Sequence, residues 1–279
     1  MKRIIQIALL LSAAALTANA TDFKWKTVRM DGSRTGTSMP DPGNVEASLG
    51  SVSGNTYVAP NGRKYKGGAT VEVARLMIAA QPSLSDVKEV IGYSEKGMKR
   101  SKPQSALSNW FVDALMENVG VMVDRPVDIG VYNFGGIRAE MPEGNATVDD
   151  ILSMFPFNNH PAYVVLKGAD VRYAFERMAE SGIQAVGGVQ VVIRDNKLES
   201  ILVGGQPLDD KKTYGLVTVD FLLNGGDGLN LARNAQEVII TDKKVSDVVI
   251  SHVRSLKAAG RSISGAVDDR VRIIKPEGN

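Results

Sequence analysis

The 279-residue sequence contains no cysteine and only two histidines, His160 and His252. Without cysteine the chain forms no disulfide, no thiolate zinc site and no cysteine nucleophile. Two histidines are too few for a three-histidine zinc site, or for the ligand set of a typical dinuclear phosphatase. A magnesium or calcium site built from carboxylates alone stays open.

Long apolar runs are also scarce, apart from one at the N-terminus. Residues 1–20 begin with Lys2 and Arg3, continue with an apolar run, and end in Ala-Asn-Ala. This order predicts a secretory signal peptide that is cleaved after Ala20. A retained membrane helix is the alternative, but the run is short and Ser12 interrupts it. We therefore expect a periplasmic or secreted protein with no membrane anchor.

The predicted mature chain lacks an excess of either charge. The full sequence has 33 Lys and Arg residues against 31 Asp and Glu residues. Once Lys2 and Arg3 leave with the signal peptide, acidic and basic residues balance. Bulk charge then supplies no general attraction for nucleic acid. We expect no nucleic-acid partner, and any affinity for phosphate must come from individually placed cations.

The order of predicted elements indicates a mixed α/β fold. Residues 21–69 are rich in Gly, Ser, Thr, Pro and Asn, and they predict an irregular N-terminal arm with one or two short strands, near 23–29 and 55–58. Apolar spacing from residue 70 onward, without a repeat or a long linker, predicts one domain over 70–279. Regular βαβ alternation is missing, so a doubly wound sheet is not expected. The predicted elements are helices near 69–78, 105–119, 148–154, 168–181 and 245–259, and strands near 127–133, 163–166, 190–194, 199–203, 213–218, 238–241 and 271–274.

The first candidate binding cluster is the run NFGGIR at 133–138, directly after a predicted buried strand. Its two glycines let a ligand approach the main chain closely. The planar donors of Arg138 suit a phosphate or a carboxylate. Taken alone, a tight turn with a surface arginine is the simpler explanation of this run.

Three further clusters follow it along the chain. The run FPFNNHP at 155–161 holds two aromatic rings and two amides, which suit either core packing or stacking on a planar ligand. A glycine pair at 187–188 precedes a predicted strand. In DFLLNGGDG at 220–228, Phe221 ends a strand and Asp227 lies in a glycine turn. That aspartate either bonds its own main chain or accepts hydrogen bonds from sugar hydroxyls.

Together, the runs NFGGIR, MFPFNN, VGGVQV and PLDDKKTYGLVTVDFLLNGGDG resemble the C-terminal domain of the 5'-nucleotidases, a family that includes bacterial UDP-sugar hydrolases and animal ecto-nucleotidases. The resemblance covers roughly Val90 to Ile274. It implies an α/β fold of mixed sheets with helices packed outside, in α/β/β/α layers. The whole chain looks like a stand-alone bacterial form of that domain.

The resemblance implies how a nucleobase is held. Phe157 and Phe221 match the two rings of the family's base-stacking clamp. Stacking on an aromatic ring contributes about 1–3 kcal/mol per base and tolerates many bases. Asn159 matches an amide near the base, and Gly187 and Gly188 match the point where the main chain comes close to it.

The resemblance also implies contacts to the sugar and the phosphate. Asp227 matches the acid that binds ribose hydroxyls, and Asn133 and Arg138 match a pair that faces sugar and phosphate. Arg100 matches a further arginine of the family, with Lys102 as the alternative under a shifted alignment. The resemblance therefore implies a site for a nucleotide or nucleoside.

The metal motifs of the family are missing from this sequence. Complete 5'-nucleotidases carry an N-terminal metallophosphatase domain with motifs of the kinds D-x-H, G-N-H-[DE] and G-H-x-H, and residues 21–69 are too few for it. Hydrolysis of a phosphate monoester in this family depends on metals that generate hydroxide. We expect no catalytic residue, no cofactor in this chain and no activity of the chain alone. His160 is expected to shape its loop, and His252 to pack in the core or an interface.

The leading hypothesis is the nucleotide-recognition half of a periplasmic 5'-nucleotidase. Phosphomonoester hydrolysis would then need a separate metallophosphatase chain, which would hold the divalent metals. The alternative is a periplasmic nucleotide- or nucleoside-binding protein without a catalytic partner. A structural role with a degenerate pocket, and independent hydrolysis through a carboxylate-held magnesium, are weaker hypotheses.

Overall fold

The computed structural model describes residues 37, 38, 40 and 43–275. The predicted signal peptide and the strand expected near 23–29 lie outside these residues. The chain divides into two compact units, one ending at Pro82 and the other beginning at Ser83. Within the described ranges, none of the helices is both long and apolar enough to cross a membrane.

The first unit contains a small antiparallel sheet and two helices. The strand β2 confirms the prediction near 55–58, and the helix α2 confirms the one near 69–78. Two neighbouring strands are not predicted, because three-residue strands show too little alternation to be recognised. In chain order the elements are α1 (Val45–Leu49), β1 (Ser51–Ser53), β2 (Thr56–Val58), β3 (Lys64–Lys66) and α2 (Gly68–Ala80), with the sheet order β1-β2-β3 and a 3-10 turn at Gln81–Leu84 after α2.

The second unit holds three sheets and five helices among the described residues. The strands are β4 (Val90–Ser94), β5 (Ile129–Tyr132), β6 (Gly144–Thr147), β7 (Pro161–Lys167), β8 (Ala185–Gly187), β9 (Val189–Arg194), β10 (Lys197–Val203), β11 (Gln206–Pro207), β12 (Thr213–Val219), β13 (Glu237–Ile240) and β14 (Val271–Ile274). The helices are α3 (Ala106–Val123), α4 (Val148–Met154), α5 (Gly168–Ser181), α6 (Asp220–Leu223) and α7 (Val245–Ala258).

The sheets mix parallel and antiparallel strands. The five-stranded sheet has the order β13-β7-β12-β5-β8, the four-stranded sheet β11-β10-β9-β14, and β4 pairs with β6. In the large sheet β5 and β12 run parallel, whereas β7 is antiparallel to both β12 and β13. Helix α3 packs against β5, β7, β8 and β12, and α5 packs against β7, β12 and the second sheet's β10. The mixed α/β fold is thus confirmed.

Local sequence explains the elements that carry the core. Ser105 caps α3 by accepting a hydrogen bond from the main-chain N–H of Ser108. The face of α3 that includes Trp110 and Phe111 is buried, as its helical spacing predicts. All four residues of β5 and the last five of β12 are buried, which is typical of central strands covered on both faces.

Candidate functional site

Three strand ends meet at one edge of the five-stranded sheet. Val219, the last residue of β12, pairs with Pro161, the first residue of the antiparallel strand β7. Because β5 runs parallel to β12, with Val217 opposite Gly130, its carboxyl end lies at the same edge. The main-chain N–H of Asp220 also donates to the carbonyl of the residue before Pro161, at 3.0 Å. The clusters at 133–138, 155–160 and 220–228 therefore lie together, and we call this place the site edge.

The turn after β5 is built around close main-chain contacts. A Cβ on Gly136 would lie 2.6 Å from the ring of Tyr132, so only glycine allows the turn to pack on that ring. The N–H of Phe134 donates to the side-chain oxygen of Gln184 at 2.9 Å, and the N–H of Arg138 donates to the carbonyl of Met154 at 2.8 Å. These contacts fix the path of the turn from outside it.

Asn133 begins this turn with an unsatisfied oxygen. Its side chain is buried, at 6% exposure, and Oδ1 has no hydrogen-bond partner among the described residues. A Cβ built on Gly135 would lie 3.6 Å from Asn133 Nδ2 and 3.9 Å from Asp227 Oδ2. The structure thus brings the Asn133 and Asp227 side chains to the same turn. A buried acceptor without a partner is uncommon, and it suits a donor supplied by a ligand.

Three cations surround the same turn. Arg100 Nη1 donates to the carbonyls of Phe134 and Ile137, at 2.8 and 2.9 Å. Lys102 Nζ lies 5.6 Å from the centre of the Phe134 ring, a cation–π contact. Arg138 Nη1 lies 3.4 Å from the carbonyl of the turn's first glycine. Within the described part of the chain none of these three cations forms an ion pair, so the turn carries positive charge that no described carboxylate pairs with.

The loop before β7 uses its two phenylalanines differently. Phe155 is buried and stacks on Phe111 of α3, with ring centroids 4.3 Å apart. Phe157, two residues later, is 46% exposed. Sequence reasoning left core packing and ligand stacking open for this loop, and the structure gives the first role to Phe155 while leaving the ring of Phe157 exposed.

The second exposed ring follows β12. Phe221 is 44% exposed, at the start of α6. A Cβ on Gly226 would lie 2.1 Å from the carbonyl oxygen of Phe221 and 2.8 Å from its ring, so the glycine turn packs closely on this phenylalanine. Asp227, in the same turn, has a left-handed backbone with φ 48°. Its carboxylate makes no hydrogen bond to a described residue, so the alternative of a bond to its own main chain is not seen.

Gly187 and Gly188 lie away from the site edge. Gly187 pairs with Gly130, three residues before Asn133 along β5. A Cβ on Gly187 would lie 2.7 Å from the sulfur of Met116 in α3, and one on Gly188 would lie 2.0 Å from a main-chain oxygen. The structure therefore does not bring these glycines to the turn that holds Asn133, and their visible role is close packing under α3.

The remaining predicted residues also have structural partners. The main-chain oxygen of Asn159 accepts from the N–H of Val245, and its side chain is half-buried. His160 Nδ1 lies 3.1 Å from the carbonyl of Thr241. His252 Nδ1 lies 2.9 Å from Asn118 Nδ2. Among the residues that the structure describes, no group of three His, Asp or Glu side chains is arranged to hold a metal.

Sequence reasoning missed two residues that support the site edge. Gln184 holds the N–H of Phe134, as described above, and Tyr132 lies under the glycine of the same turn. Burial raises the pKa of Tyr132, and the charge of Asp220 raises it further, so the phenol stays neutral beneath the turn. No local pattern could identify these roles, because the contacts of Gln184 join segments that lie tens of residues apart and a buried tyrosine in a strand looks like any other core residue.

Exposed rings, unpaired cations and free oxygen acceptors at one edge of a mixed sheet are features of a domain that binds a small polar molecule. Residues 90–233, just over half of the chain, match the family described as the 5'-nucleotidase, C-terminal domain. The chain belongs to this family.

Curated relatives are similar to about half of this chain and are much longer than it. An apyrase of Tabanus yao is 31% identical over 172 residues, which cover 54% of this chain and 30% of that protein. Protein UshA of Yersinia enterocolitica serotype O:8 is 32% identical over 130 residues, which cover 45% of this chain and 22% of that protein. The chain thus spans less than a third of either relative.

Solved structures share the fold. The 5'-nucleotidase precursor from Thermus thermophilus superposes with a TM-score of 0.65 at 21% identity, covering 78% of this chain and 45% of that chain. At this identity the likeness concerns the fold alone, and it agrees with the mixed α/β architecture described above.

Proposed function

We propose that this chain binds a nucleotide at the site edge. The base would stack between Phe157 and Phe221, the ribose hydroxyls would donate to Asp227, and the phosphate would lie by Arg138. The observation that carries the proposal is the pairing of β12 with both β5 and β7, which gathers side chains from three distant segments.

The chemistry of the site edge supports a ligand that has both donors and negative charge. The unpartnered Oδ1 of Asn133 and the carboxylate of Asp227 need donors, which sugar hydroxyls provide. The unpaired cations around the turn favour an anion, which a phosphate provides. Because the predicted mature chain has no net charge, this attraction depends on those few side chains. For a ligand contact of Asn159, Gly187 or Gly188, the family resemblance is the only support.

Calorimetric titration of the purified chain with AMP and adenosine tests the binding proposal. We expect both to bind, and Phe157→Ala or Phe221→Ala to weaken both by about 10- to 100-fold through lost stacking. Tyr93→Ala is the matched control, because Tyr93 is 51% exposed on β4, which belongs to a different sheet. Equal binding by wild type and both phenylalanine variants would contradict the proposal.

We further propose that catalysis requires a separate secreted metallophosphatase chain. The support is twofold: the family match covers what is the C-terminal domain in much longer relatives, and two histidines are too few for a dinuclear phosphatase centre. A predicted signal peptide would send this chain to the periplasm or the medium, where such a partner would also have to work.

A reconstitution assay tests the two-chain proposal. The purified chain is mixed with a secreted metallophosphatase that lacks this domain, and phosphate release from AMP is measured. We expect the mixture to hydrolyse AMP faster than the phosphatase alone, and Phe221→Ala to remove the gain. If the chain binds AMP but the mixture shows no gain, it acts instead as a binding protein without this partner.

A further inference from the structure

Arg100 directs its guanidinium to the main chain of the turn after β5. Nη1 donates to the carbonyls of Phe134 and Ile137, at 2.8 and 2.9 Å. A hydrogen bond from a charged group is stronger than one between neutral groups. One nitrogen that bridges two carbonyls of a short turn also fixes the spacing between its two ends.

The bridge sets the direction of a free main-chain donor. In a trans peptide the C=O and N–H point in opposite directions. Since the carbonyl of Phe134 faces Arg100, the N–H of Gly135 in the same peptide faces away from it. That N–H makes no hydrogen bond to a described residue, and a Cβ on Gly135 would lie within 4 Å of the Asn133 and Asp227 side chains.

We infer that Arg100 is a positioning residue, which holds the turn so that the N–H of Gly135 and the side chain of Asn133 are set for the ligand. The inference rests on the proposed nucleotide binding and refines it, because Arg100 then acts through the turn and does not contact the phosphate. Arg138 differs, since its one polar contact is long, at 3.4 Å to Gly135 O. The Arg138 guanidinium is therefore available to bind the phosphate.

Comparison of AMP with adenosine separates the two roles, because only AMP carries the phosphate. For Arg100→Ala we expect both affinities to fall by about the same factor, roughly tenfold, since the whole turn is loosened. For Arg138→Ala we expect about a tenfold loss for AMP and a loss below about twofold for adenosine. Lys99→Ala is the charge control, because Lys99 is exposed and its ion pair with Glu140 spans 4.0 Å at the surface; it should change neither affinity.

Hydrogen exchange in the protein without ligand tests the positioning role directly, because no phosphate is present for Arg100 to contact. Amides in the segment 134–138 should exchange faster in Arg100→Ala than in wild type or Lys99→Ala. If Arg100→Ala does not fold, Arg100→Lys replaces it in the test, because it keeps the positive charge and a single donor nitrogen. Its affinities for AMP and adenosine should fall by the same factor, which should be smaller than tenfold.

Two results would overturn the inference while leaving the proposed function in place. One is a loss of AMP affinity in Arg100→Ala with adenosine unchanged, which would mean that Arg100 contacts the phosphate. The other is unchanged exchange in the turn. Failure of the wild-type chain to bind either ligand would overturn the proposed function itself.

Discussion

At the scale of single residues, glycines decide how closely the site edge can pack. Gly136 lies against the Tyr132 ring and Gly226 against Phe221, and neither has space for a methyl group. Both glycines lie in runs that the sequence analysis identifies as candidate binding clusters. The structure adds a second reason for their presence, since each one lets a turn contact an aromatic ring.

Gly226→Ala should destabilise the protein. The new Cβ would lie 2.1 Å from the carbonyl oxygen of Phe221, so the turn must shift. We expect a loss of about 1–3 kcal/mol in the free energy of unfolding, as for other overpacked positions. Urea unfolding measures it. Gly97→Ala is the control, because its nearest atom would be 3.6 Å away, an ordinary contact; equal losses for the two variants would contradict the packing account.

At the scale of elements, a histidine links α3 to α7. Asn118 Nδ2 donates to Ala114 O at 2.7 Å and lies 2.9 Å from His252 Nδ1, which therefore acts as the acceptor. Burial lowers the pKa of His252; nearby Glu117 opposes this shift and Arg261 adds to it. Protonation would remove the acceptor and place a charge between the helices.

The protein should therefore become less stable as the pH is lowered, because His252 is then protonated. The folded pKa of His252 is lower than the unfolded value, so the unfolded state binds the proton first as pH falls below about 6.5. The stabilisation by neutral His252 is therefore complete above about pH 6.5, and it is lost as the pH falls toward the pKa of His252 in the folded protein. His252→Gln can keep an acceptor without titrating, so between pH 8 and 5 its free energy of unfolding should fall less than that of wild type. Parallel pH curves for the two proteins would show that His252 does not contribute.

Some of the helices and strands could be predicted from sequence patterns, and others could not. Helices α4 and α5 and strand β14 have the predicted bounds, because their apolar spacing and end residues are local signals. The hairpin β9–β10 turns at Asp195 and Asn196, both with positive φ, as those residue types indicate. The β4–β6 pair is not predicted, because its partners are some fifty residues apart and β6 has little apolar character.

The candidate site, too, was predictable from the sequence only in part. The family resemblance implied that Phe157, Phe221, Asn133 and Asp227 belong to one site, and the sheet brings their segments to one edge. Their roles in binding stay predictions. The partners of Arg100 and the distant packing of Gly187 could not be read from the chain, because both depend on contacts between segments whose order in the sheet is unknown from sequence.

At the scale of the whole molecule, the site edge depends on the complete sheet. The turn after β5 and the turn after β12 are separated by almost ninety residues, and β12 must pair with both β5 and β7 before the two meet. Closing such a loop costs entropy that is recovered only when the distant strands pair.

This separation has a consequence for the order of events during synthesis. While the ribosome is still making residues 134 to 219, the strand β5 exists without its parallel neighbour, and the acceptors of Asn133 and Asp227 cannot face the same ligand. A newly made chain would therefore gain the proposed affinity for a nucleotide late and in a single step, when β12 inserts between β7 and β5. Ligand binding would then report that β12 has paired with both β5 and β7.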